Sequence, residues 1–127
     1  MNEFSVRTRS RFEMIDITAS VRAILRERKI QNGICYVFVP HTTAAVTINE
    51  NADPDVPADI IAGLDKWIPL RDNYRHMEGN SAAHIKASLV GASEAVLVEH
   101  GDLILGTWQS IFFCEFDGPR TRKVYVK

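Results

Sequence analysis

Apolar and polar positions alternate from the start of the chain. Phe4 and Val6 are set against Ser5 and Arg7, and Phe12, Met14, Ile15 and Ile17 continue the apolar series. Period-two alternation puts successive side chains on opposite faces of a strand, so this stretch predicts a β-hairpin. The period then changes. Val21, Ile24 and Leu25 fall at helical spacing behind Thr18 or Ser20 as candidate N-caps, and Asn32-Gly33 supplies the stop. Ile34 to Val39 is rich in β-branched and aromatic residues and bounded by Gly33 and Pro40. That is the pattern of a buried central strand, with Ala45 to Ile48 as its candidate partner.

Asp53-Pro54-Asp55 reads as a second helix start. Asp53 is the cap, proline occupies the tolerated first position, and Asp55 complements the helix dipole. Ile60, Ile61, Leu64, Trp67 and Ile68 give that helix one buried face, and Pro69 closes it. Asn80 or Ser81 caps a short third helix through Leu89, with Gly91 just past its end. Strand patterning returns at Ala95 to Val98, Leu103 to Leu105, Trp108 to Phe116 and Lys123 to Val126. Turns at His100-Gly101-Asp102, Gly106-Thr107 and Asp117-Gly118-Pro119 separate these runs. Strands at both ends with two or three helices between predict an α+β fold, a mixed or antiparallel two-sheet, sandwich-like core in one compact domain. No βαβα alternation with a glycine-rich turn is present, which sets aside a dinucleotide fold.

Composition narrows the function classes. The chain has 127 residues, 46% of them apolar, enough for one domain with a real core. A net charge of −1 lacks the basic footprint of a nucleic-acid binder, and Arg120, Arg122, Lys123 and Lys127 read as a solvated basic end. No apolar run approaches the roughly 18 residues of a membrane span. Met1-Asn2-Glu3-Phe4 has neither the basic start nor the apolar stretch of a signal peptide, so a cytoplasmic protein with no membrane partner is expected. Cys35 and Cys114 lie in apolar runs without CxxC spacing and read as buried free thiols.

Candidate chemistry starts with His41, His76 and His84, which sit in polar stretches with no core pattern around them. Each alone is explained by a surface or hydrogen-bonded imidazole. Three together with an open fourth position is the arrangement by which zinc holds water or a substrate oxygen. His100 reads as a hairpin-turn residue. In Thr47 to Asp55, the helix start accounts for Asp53 and Asp55 but not for Glu50, which becomes the candidate for proton transfer or metal bridging. Glu115 interrupts an apolar run, so it either has a buried partner or faces outward on an edge strand. Arg120 and Arg122 can meet a phosphate with bidentate geometry. There is no GxxxxGK[ST] loop and no GxSxG elbow.

Three strings in order along the chain resemble the signatures of the YjbQ-like family, also called the secondary thiamine-phosphate synthase family. They are His41-Thr42-Thr43-Ala44 with Thr47 to Val56, then Tyr74-Arg75-His76 with Glu78 to Lys86, then Leu105 to Gln109 with Cys114 to Arg120. Ser110 departs from the glycine expected there in the family. The resemblance implies a homotrimer of α+β subunits with a His-lined pocket near the subunit interface. It also implies weak joining of hydroxymethylpyrimidine pyrophosphate to thiazole phosphate. On that reading the chain is an enzyme acting on a small anionic or phosphorylated ligand. His41, His76 and His84 are metal ligands or acid–base groups, and Glu50 is the general base or a further ligand. Asn51, Trp108, Gln109 and Glu115 orient the substrate, and Arg120 holds phosphate. A histidine set favours zinc over magnesium as the divalent metal. The alternative is a non-catalytic module that binds a metal or an anionic metabolite. A blander third reading is a structural trimer whose histidines pair across the interface.

Overall fold

A computed structural model describes all 127 residues. The strands are β1 (Asn2–Arg7), β2 (Glu13–Asp16), β3 (Gly33–Phe38), β4 (Ala44–Glu50), β5 (Ser93–Glu99), β6 (Asp102–Leu103), β7 (Gln109–Glu115) and β8 (Thr121–Val126). The helices are α1 (Thr18–Glu27), α2 (Asp55–Trp67) and α3 (Ser81–Val90). Two antiparallel sheets result: a five-stranded one in the order β1-β8-β3-β5-β6 and a three-stranded one in the order β2-β7-β4. The α+β, two-sheet architecture matches the expectation.

The main core lies between the sheets. Val37, Val96, Val98, Val124 and Val126 face Val46, Ile111 and Phe113, and Val21, Ile24 and Leu25 of α1 close one side. Each such side chain contributes roughly 1.5–3 kcal/mol relative to exposure. A second, smaller core lies on the far side of the three-stranded sheet, where Ala45, Cys114 and Phe116 meet Ala83 and Ala87 of α3. Both cysteines are free and buried, Cys35 in the first core and Cys114 in the second. Burial pushes the Cys35 thiol up and the Cys114 thiol up to about 12.

Several local expectations are corrected. The first two strands do not form a hairpin: β1 pairs with β8 and β2 with β7, so the intervening residues cross between sheets. Alternation reveals a strand but not its partner. Nor does β4 pair with β3; it pairs with β7. β3 is central in its sheet but covered on one face only, with Ile34, Tyr36 and Phe38 exposed beside Leu97. α1 stops at Glu27, short of Asn32. Thr18 does not cap it; its hydroxyl accepts the Ile111 N–H at 2.9 Å and fastens the helix to β7. α2 has no fully buried residue, and Trp67 is 75% exposed. The Asp53 carboxylate does accept the Asp55 N–H, as its position before the helix requires. At His100-Gly101 both φ angles are positive, 52° and 78°, as a tight hairpin turn between β5 and β6 demands.

Candidate functional site

β4 and β7 run antiparallel, with Ala44 opposite Glu115 at one end and Glu50 opposite Gln109 at the other. The candidate residues divide between these two ends.

At the Glu115 end the site is built on a buried ion pair. Glu115 has no exposed surface. Arg122 Nε donates to its Oε1 at 2.9 Å and Arg122 Nη2 to its Oε2 at 2.5 Å. Thr8 Oγ1 and the Asp117 N–H complete the carboxylate's partners at 2.8 and 3.1 Å. Of the two readings open for Glu115, the buried, paired one holds. It faces no cleft and instead fixes Arg122, which also donates to Thr43 Oγ1 at 2.8 Å.

Asp117 is the next layer outward. It accepts from Asn80 Nδ2 at 2.9 Å and Arg120 Nη2 at 3.0 Å, with Arg11 at 3.6 Å. Burial by itself would raise its pKa, but the Asn80 and Arg120 hydrogen bonds and the Arg120 and Arg11 charges outweigh it and hold the carboxyl below its usual range. Asp117 is therefore a carboxylate near neutral pH. In the sequence its place before Gly118-Pro119 marks a turn, and the one clue to its partner is Arg120 three residues on.

His41, His76 and His84 come from the β3–β4 loop, the α2–α3 loop and α3, and they line one cleft of about 470 Å³ with Thr43, Glu78, Asn80, Asp117, Arg120 and Arg122. His41 accepts the Lys123 N–H on Nε2 at 2.9 Å, so its neutral form carries the proton on Nδ1. Burial and the Arg122 charge hold His41 below the usual histidine range, against the opposing pull of Glu115. The His76 and His84 rings meet edge to face, with centroids 5.4 Å apart. Glu78 Oε1 lies 3.8 Å from His76 Nε2.

These histidines share a cleft without sharing a point. No group of three His, Cys, Asp or Glu side chains converges closely enough to hold a metal ion. Within one chain the donor set thus does not fit the expected three-histidine zinc centre. One His41 nitrogen is already engaged by backbone, and the His76 ring meets the His84 ring edge to face.

Glu50, Asn51, Trp108 and Gln109 lie at the opposite end of the β4–β7 pair. Six residue steps at about 3.4 Å put them roughly 20 Å from the histidine end. There Asn51 Nδ2 donates to Asp16 Oδ2 at 2.6 Å and the Asn51 N–H to the Trp108 carbonyl at 3.0 Å. Gln109 Oε1 accepts the Gly106 N–H at 2.7 Å, and Trp108 is 64% exposed. The structure brings the three histidines and Arg120 together. It leaves Glu50, Asn51, Trp108 and Gln109 out of their cleft, because an extended strand separates positions that sequence proximity joins.

The profile of the family described as UPF0047 protein YjbQ-like matches residues 2–127. The UPF0047 protein YugU of Bacillus subtilis is 56% identical, aligned over 100% of this chain and 97% of that protein. A UPF0047 protein of Methanocaldococcus jannaschii is 52% identical over 98% of this chain and 91% of its own length. Among solved structures, a YjbQ/UPF0047 family protein from Clostridium acetobutylicum superimposes with a TM-score of 0.98 at 54% identity, covering 100% of this chain and 98% of that one. A YbjQ-like protein of unknown function from Sulfolobus solfataricus gives 0.94 at 37% identity, covering 98% and 92%. Sequence and fold agree over the full chain, which belongs to the YjbQ-like UPF0047 family.

Proposed function

We propose that the histidine cleft is an acid–base and anion-binding site for a phosphorylated small molecule, and that the chain joins hydroxymethylpyrimidine pyrophosphate to thiazole phosphate as a weak activity. The observation that carries this reading is the meeting of His41, His76 and His84, from three separate segments, with Arg120 and Arg122 in one cleft. In the joining reaction a bond forms from the thiazole nitrogen to the pyrimidine methylene carbon while the bond from that carbon to the diphosphate oxygen breaks. The Arg120 guanidinium neutralises departing charge, and a histidine holds a proton near the leaving oxygen. No step is routed through a metal. The homotrimer belongs to the same proposal, supported by the bare apolar face of the five-stranded sheet; Glu50 lies too far along β4 to reach this cleft within one chain, so a neighbouring copy would have to supply it.

A second reading draws on the position of Glu50. Without that carboxylate at the cleft, the site is a binding module for an anionic metabolite. One assay separates the two: thiamine phosphate formed by wild type, His84→Ala and His41→Ala across pH. The enzyme reading expects a loss of about 10²-fold or more on removing an acid–base histidine. If His41 is the group that must be neutral, the acid limb lies below the ordinary histidine range, because burial and Arg122 lower its pKa. Substrate binding with no turnover in wild type would leave the binding module. Elemental analysis of the purified protein beside His41→Ala checks the expected zinc; one ion per chain, lost in the variant, would require a ligand set that one chain does not assemble.

A further inference from the structure

Next to the histidine cleft lies a second cavity of about 440 Å³, lined almost entirely by polar groups that include Arg11, Arg71 and Arg120. The two cavities share a wall made of Glu78, Asn80, Asp117 and Arg120. Resting on the phosphorylated-ligand reading above, we infer that this arginine cavity is a separate phosphoryl subsite. A ligand then straddles the shared wall, with its phosphate or diphosphate among the arginines and its reacting end at the histidines.

Two observations support the inference. The first is charge. Three guanidiniums face two carboxylates, and Arg11 and Arg120 both lean on Asp117, at 3.6 and 3.0 Å. Arg71 enters no ion pair in the chain. An unpaired guanidinium beside two that share one carboxylate leaves positive charge and donors in the fork geometry that matches phosphate. The second is an unmet acceptor. Asn80 Oδ1 is buried with no hydrogen-bond partner, while Nδ2 of the same amide is held by Asp117. Buried acceptors without partners are rare, and this one calls for a donor such as the P–OH of a monoprotonated phosphoryl group or a neighbouring hydroxyl.

The test is calorimetric titration of the full chain with pyrophosphate, with sulfate at equal ionic strength as the control for simple charge. Wild type, Arg71→Ala and His84→Ala are compared, with circular dichroism confirming that each is folded. Wild type binds pyrophosphate in preference to sulfate, Arg71→Ala weakens that binding about tenfold or more, and His84→Ala weakens it less than Arg71→Ala does. Amide shifts in wild type on adding pyrophosphate centre on Arg71 and Gly79, which line only the arginine cavity, rather than on Thr42 and Thr43 of the histidine cleft. Unchanged binding in Arg71→Ala, or no preference over sulfate, overturns the subsite. Loss in His84→Ala with retention in Arg71→Ala also overturns it, placing the anion in the histidine cleft and sparing the broader reading. Pyrophosphate binding as expected, with full turnover in His84→Ala, sinks the acid–base role of that histidine and leaves the subsite standing.

Discussion

Glu115 and Arg122 show how a buried charged pair can shape a site that it only borders. Taking both ions out of water is costly, and their mutual hydrogen bonds, with Thr8, Thr43 and the Asp117 N–H, offset that cost only while every partner is present. Glu115→Gln keeps the shape and removes the charge, leaving the Arg122 guanidinium buried and uncompensated. It should destabilise the fold by roughly 3–5 kcal/mol in denaturant titration, whereas an outward-facing glutamate would cost little. His41 adds a pH term of defined sign. Its folded-state pKa is lowered, so its contribution to stability is present above the ordinary histidine pKa and is lost as pH falls through the lowered value. At this scale the sequence was informative about type and not about neighbours. Glu115 inside an apolar run announced that something unusual was needed, but its partner lies seven residues on, across a turn.

Elements were legible where local chemistry decides them and obscure where pairing does. Gly91 stands at the C-cap of α3 where expected, and α2 starts one residue later than Asp53-Pro54 implied, with Pro54 at the cap position. The pairing of β2 with β7 depends on chain crossing between sheets, which no local pattern encodes. α2 matches its expected face in part: Ile60, Ile61 and Leu64 are half-buried where the spacing put them, while Trp67 is exposed. Leu64 packs against the smaller core, an ion pair from Asp65 to Lys86 of α3 adds a tether, and Lys86 also sits over the Phe12 ring at 4.0 Å from the centroid. With 1% of its surface exposed, Lys86 takes a place in the α3 interface that helical spacing would give to an apolar residue. Lys86→Met keeps the volume and removes both interactions. It should cost about 1 kcal/mol and speed hydrogen exchange in α2 while sparing β4 and β7. Equal acceleration in all three would mean that α2 is not separately tethered.

For the whole molecule, the outer face of the five-stranded sheet is the feature a single chain leaves unexplained. Ile34 opposes Leu97 and Phe38 opposes Tyr125, with the Phe38 and Tyr125 rings stacked at 6.3 Å. Exposures of 53% for Ile34, 55% for Tyr36 and 59% for Leu97 leave a contiguous apolar surface of the kind that marks an interaction site. If this face builds the proposed homotrimer, sedimentation should give a trimer for wild type and a folded monomer for Leu97→Lys; a monomeric wild type would remove the trimer from the proposal. The sequence alternation placed these residues on a strand. It could not separate a face buried by the chain's own core from one left bare. The two buried thiols carry a consequence of another kind. Cys35 lies between the sheets and Cys114 beneath α3, each with a raised pKa and almost no surface, so an alkylating reagent reaches either one only when its core opens. The molecule thus carries two chemical clocks, one in each core. Equal labelling rates would show that both cores open in a single event, and a faster Cys114 would show α3 lifting away while the sandwich stays shut.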